Sequence, residues 1–148
     1  MLQRVILIED DPLATKLTGD ILARVAPEVR LEVARDGHSA LARLHRYTEN
    51  GRETIALIIL DLRIPHLHGI DLLKHIKGRP ETRSIPVVVV SGTATVEQTQ
   101  ELYNLGANSY ILKQADPVEN SRNLETVLNY WIRINVLPTM VHRTGAMQ

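Results

Sequence analysis

Ile55-Ala56-Leu57-Ile58-Ile59-Leu60-Asp61 is an apolar run without a break that ends on an acid. Short runs of this kind, rich in β-branched residues, suit strands buried on both faces of a parallel sheet. Val5-Ile6-Leu7-Ile8 and Pro86-Val87-Val88-Val89-Val90 read the same way. Leu31-Glu32-Val33-Ala34 and Ser109-Tyr110-Ile111-Leu112 complete a set of five predicted strands.

Between the strands the apolar residues recur at helical spacing. Leu13, Leu17 and Ile21 mark one predicted helix, and Leu41 and Leu44 a second. Ile70 to Lys77, Val96 to Leu105 and Val118 to Ile134 supply three more. Five βα repeats favour an open parallel sheet with helices on both faces, because right-handed crossovers place successive helices that way. The expected fold is α/β, a flavodoxin-like (βα)5 doubly wound three-layer sandwich. Pro12 suits a first helical turn, Asp36-Gly37 and Pro65 mark loops, and Asp116-Pro117 reads as a helix cap followed by a first-turn proline.

The 148 residues fit one domain, expected over residues 1–138 with no separate output domain, and residues 139–148 read as a flexible tail. With 44% hydrophobic and 23% charged residues, the chain has the composition of an ordinary globular protein. Seventeen basic and seventeen acidic side chains cancel, so no overall field points to nucleic acid or a membrane. Arg24, Arg30, Arg35, Arg43 and Arg46 form no dense basic run and read as solvated surface. The absence of cysteine excludes disulfides and thiolate chemistry, and the apolar runs fall far short of the ~20 residues that span a bilayer. A cytoplasmic location is the expectation.

The polar residues at the strand ends carry the chemistry. Glu9, Asp10 and Asp11 follow the first strand and Asp61 the third, and ligands in such folds collect at the carboxyl ends of strands near the topological switch point. Converging carboxylates repel unless a cation joins them. Mg²⁺ suits hard oxygen ligands, with Asp10 and Asp61 as direct ligands, while Asp11 more simply caps the first helix. Ser91 and Lys113 end the fourth and fifth strands on the same rim. Alone, each would be an ordinary turn serine or exposed lysine. Together with Asp61 they form a phosphoryl-transfer set: a carboxylate nucleophile, a divalent ion, a hydroxyl donor and a lysine as point charge. His66 and His68 have no further ligand cluster nearby in sequence and read as an exposed loop. No Gly-x-Gly-x-x-Gly or Gly-Lys-Ser/Thr loop is present, which weighs against a nucleotide site.

With Ile8-Glu9-Asp10-Asp11-Pro12, Leu60-Asp61-Leu62-Arg63-Ile64-Pro65, Val90-Ser91-Gly92 and Tyr110-Ile111-Leu112-Lys113 in this order, the chain resembles the response-regulator receivers of two-component systems over residues 4 to 135. The resemblance implies that Asp61 accepts phosphate from a sensor histidine kinase and that Glu9, Asp10, Asp61 and the Arg63 backbone carbonyl surround Mg²⁺. It implies that Lys113 pairs with the phosphate, and that Ser91 and Tyr110 are the switch pair. Gln114 departs from the pattern, since receivers usually carry proline after this lysine. Tyr103 to Tyr110, Tyr130-Trp131 and Leu137-Pro138 are similar to the stand-alone receivers that serve phytochrome-type kinases, which implies a homodimer through the last helix and strand. Two other readings compete. One is a phosphorylation-independent adaptor. The other is an aspartate-nucleophile phosphatase of the haloacid-dehalogenase type, which usually carries an acid/base aspartate two positions after the nucleophile, where this chain has Arg63.

Overall fold

The computed structural model describes residues 2–50, 53–64 and 68–138. Its strands are β1 (Leu2–Ile8), β2 (Arg30–Ala34), β3 (Glu53–Asp61), β4 (Val87–Ser91) and β5 (Ser109–Leu112). Its helices are α1 (Pro12–Val25), α2 (Gly37–Asn50), α3 (Gly69–Lys77), α4 (Val96–Asn104) and α5 (Pro117–Asn129), the last continued by a π-helical turn at Tyr130–Ile134. All strand pairings are parallel, in the order β2-β1-β3-β4-β5. This is the expected doubly wound fold, and its strand order reverses between β1 and β3.

The run Ile55 to Leu60 feeds both faces of the sheet, alternating from Leu57 onward after a register irregularity at Ala56. Ile55, Ile58 and Leu60 pack with Ala40, Leu44 and Leu72 on the α2, α3 and α4 side. Leu57 and Ile59 pack with Ile21, Leu22 and Leu128 on the α1 and α5 side. A polar residue on either face of β3 would therefore be buried.

Local chemistry fixes the helix ends. Asp11 and Asp116 each accept a hydrogen bond from the N–H two residues on, at 3.0 Å, and a proline follows each as the first helical residue. Gly106 ends α4 with φ 103°, a conformation that favours glycine. His68 caps α3 through Nδ1, which accepts from Ile70 N–H at 3.3 Å. Pro65, His66 and the expected tail at 139–148 lie outside the described residues. None of the helices described is long and apolar enough to cross a membrane.

Leu13 lies in α1 as expected but is 78% exposed, while Leu17, Ile21, Leu22 and Val25 reach the core. Two expectations need correction. The last helix is not uniform to Ile134. After Asn129 the turn widens, with Asn135 N–H donating to Tyr130 O at 2.8 Å, which keeps Ile132 buried and lets Arg133 donate to Val25 O at 3.0 Å. Arg43 is half-buried rather than solvated. It and Arg4 donate to the two oxygens of Glu32, at 2.8 and 2.6 Å, and Arg4 lies over the Tyr47 ring, 4.4 Å from its centroid.

Asn108 ties the entries of β4 and β5 to α3. Its Oδ1 accepts from the buried Val87 N–H at 2.8 Å and from Lys77 Nζ at 3.1 Å. Asn108→Ala strands a buried donor and is expected to cost about 2 kcal/mol, read as a lower urea midpoint at unchanged m-value.

Candidate functional site

The rim at the carboxyl ends of β1, β3, β4 and β5 gathers the polar residues. Glu9 N–H donates to Ala34 O at 2.9 Å, extending the β1–β2 ladder by one residue. Glu9 is turned inward and its side chain is 5% exposed, whereas Asp10 is exposed. Asp61 is the last residue of β3 and is 5% exposed. Carboxylate oxygens of Glu9, Asp10 and Asp61 lie within 4.8 Å of one another.

Lys113 reaches into this group from the end of β5. Its Nζ lies 2.9 Å from Asp61 Oδ2 and 3.5 Å from Glu9 Oε1. Its backbone N–H donates to Ser91 O at 2.8 Å, which ties its loop to β4. Asp61 Oδ1 accepts from Arg63 N–H at 2.8 Å, and the Arg63 side chain is exposed. The Lys113–Gln114 peptide is trans. Because Gln114 is not proline it has an N–H, which donates to Asn120 Oδ1 at 3.0 Å and fastens the loop to α5.

The electrostatics follow from this geometry. Burial, aided by the neighbouring Asp61, pushes the Glu9 carboxyl up to about 8. Burial works to raise Asp61 as well, but hydrogen bonding with Glu9, Arg63 N–H and Lys113 prevails and holds it below the usual value. For Lys113 burial works downward, and the two carboxylates outweigh it, so its ammonium is held above its usual value.

Ser91 is buried, and its Oγ accepts from Thr93 N–H at 3.3 Å, so the hydroxyl is engaged in its own turn. Tyr110 is half-buried, and its hydroxyl donates to Thr93 O at 2.6 Å, with Gln98 Oε1 3.2 Å from the same oxygen. The structure thus brings Glu9, Asp10, Asp61 and Lys113 into one cluster, with Ser91 and Tyr110 joined to each other through Thr93. Sequence reading missed Thr93, Gln98 and Asn120. A signal for Gln98 was present: Thr95-Val96-Glu97-Gln98 has the spacing of a capping box, and Thr95 Oγ1 accepts from Gln98 N–H at 3.1 Å. That cap places the Gln98 side chain opposite Tyr110.

The cluster fits a hard divalent cation. All its side-chain donors are carboxylate oxygens, and Glu9 Oε2 is buried with no hydrogen-bond partner among the described residues.

Fold and site together define a receiver module. The model of the response regulator receiver domain matches residues 5–125, and the chain belongs to that family, the receivers of two-component signalling. It is similar to the probable methanogenesis regulatory protein FilR2 of Methanothrix harundinacea, with 31% identity over 90% of this chain and 86% of the relative. It is also similar to response regulator Rcp1 of Synechocystis, with 28% identity over 90% of this chain and 92% of Rcp1. A Mn²⁺-bound structure of Rcp1 superposes with a TM-score of 0.82 at 27% identity, covering 91% of this chain and 98% of that one. The phosphorylated cyanobacterial phytochrome response regulator RcpA superposes with a TM-score of 0.84 at 29% identity, covering 93% and 99%.

Proposed function

We propose that this chain is a phosphorylation switch in which Asp61 takes a phosphoryl group from the phosphohistidine of a sensor kinase. The observation that carries the reading is the position of Asp61 at the end of β3, ionised, buried and held at 2.9 Å by Lys113. An Asp61 oxygen forms the new O–P bond as the P–N bond to the kinase imidazole breaks, and the bond pair stays with that nitrogen. Glu9, Asp10 and Asp61, with the Arg63 backbone carbonyl, are the residues that would hold Mg²⁺. When bound, the ion would neutralise charge on the transferring group. Lys113 offers its ammonium to a phosphate oxygen.

An aspartyl phosphate adds charge and strong acceptors beside β4. Ser91 then has reason to leave the Thr93 turn, and the Tyr110 hydroxyl, which bonds Thr93 O, moves with it. A phytochrome-type kinase is the favoured partner, supported by the resemblance to Rcp1 and RcpA. A homodimer through the end of the chain is supported by the exposed apolar side chains of Tyr130, Ile134 and Val136.

Incubation with acetyl phosphate and Mg²⁺ is expected to add one phosphoryl mass to the wild type and none to Asp61→Asn. An unlabelled wild type, or a labelled Asp61→Asn, would overturn the proposal. Partner affinity unchanged by labelling would favour the adaptor reading.

A further inference from the structure

Two histidines meet where α2 packs beside α3. His45 stands on α2 and His75 on α3, and their rings lie edge to face, with centroids 6.0 Å apart and planes at 85°. His45 follows Leu44 and His75 precedes Ile76, both core residues, so packing holds the two backbones at this spacing. His45 is exposed and His75 half-buried. Neither ring has a hydrogen-bond partner among the described residues, so each neutral imidazole keeps a free lone pair. Burial, with Arg79 and His45 adding to it and Glu81 opposing, lowers His75 below the usual histidine value and leaves it neutral near pH 7.

The spacing is close to that of two ligands on one ion. A nitrogen about 2.0–2.1 Å from Zn²⁺ puts its ring centroid roughly 3.2 Å from the ion, so two imidazoles on a tetrahedral ion have centroids roughly 5.2 Å apart. The pair is within about 1 Å of that value, and His45, in solvent, can close the difference by a small side-chain rotation. Imidazole suits Zn²⁺, whereas Mg²⁺ keeps to oxygen, so the pair and the acidic rim select different ions. Among the described residues no third His, Asp or Glu joins the pair, which leaves the other ligand positions to water or to a group from outside the chain.

We propose that His45 and His75 form a Zn²⁺ site that clips α2 to α3. Only folding brings the two rings together, so the ion stabilises the folded chain by mass action. The site uses no residue of the rim and does not depend on phosphate acceptance by Asp61.

The test is a Zn²⁺ titration of the full chain in excess Mg²⁺, read by calorimetry and by NMR of the imidazole nitrogens. One equivalent is expected to bind in the micromolar range, with the ring signals of His45 and His75 shifting together. His45→Gln and His75→Gln are each expected to raise the dissociation constant at least about tenfold and to leave Mg²⁺ affinity unchanged. His45→Gln alters an exposed side chain, so its weakened Zn²⁺ binding cannot be ascribed to unfolding. Zn²⁺ affinity unaltered in either variant, a shift at only one of the two rings, or shifts confined to other histidines would each overturn the proposal.

Discussion

Between pH 6.5 and 8.5 the Mg²⁺ affinity of the wild-type protein is expected to rise about twentyfold, and Glu9→Gln is expected to flatten that rise. Burial places the Glu9 carboxyl at about 8, so below that pH it must lose a proton before it can face a cation. Apparent affinity then falls about tenfold for each pH unit below 8. Calorimetric titration at several pH values gives the slope, and a second buffer gives the proton released. A slope that persists in Glu9→Gln would show that another group carries it.

The metal-free protein is expected to show the opposite trend in stability. From 4.5 to 8 the unfolded chain has Glu9 ionised while the folded chain keeps it protonated, so the folded state binds more protons and loses stability as pH rises. From pH 6.5 to 8 the loss is about 2 kcal/mol. Asp61, held low, contributes stability that disappears only as pH falls below 3.8, and Lys113, held high, only as pH rises above 10.5. His75 is lowered by burial, with Arg79 and His45 adding to it, so its protonation costs stability only below 6.5. Within the window Glu9 dominates, and Glu9→Gln is the control.

Sequence carried the architecture because the strands of a doubly covered sheet cannot afford polar residues, and unbroken runs such as Ile55 to Leu60 have few other uses. It carried Asp61 and Lys113 for a related reason: a polar residue at the end of such a run must lie on the rim. It did not show that Glu9 turns inward while Asp10 stays in solvent, because adjacent acids read alike until the ladder bond to Ala34 O fixes which one points down. The roles of Asn108 and Asn120 were equally hidden. Each accepts a backbone N–H from a distant or looped segment, and no local spacing encodes such a bond. Arg43 looked solvated because its partner Glu32 lies on a strand whose position beside α2 appears only in three dimensions.

Lys113→Met is expected to lower the stability of the metal-free protein by about 1–3 kcal/mol, less than the roughly 3–5 kcal/mol for breaking a fully buried pair because Lys113 is 35% exposed. The same substitution is expected to tighten Mg²⁺ binding by at least about tenfold. Both effects have one cause. The ammonium, 2.9 Å from Asp61 and 3.5 Å from Glu9, offsets the repulsion of buried carboxylates, and it also opposes any second cation that approaches them. Removing it leaves the carboxylates unbalanced when the site is empty and more attractive when a divalent ion is supplied. Urea midpoints with and without Mg²⁺ separate the two, because a ligand that binds only the folded state stabilises it by mass action. The variant is expected to be the less stable protein without metal and to gain more than the wild type when metal is added. If Mg²⁺ affinity instead fell, Lys113 would be acting to hold the carboxylates in place for the ion rather than competing with it, and the rim would have to collapse or reorient without its lysine.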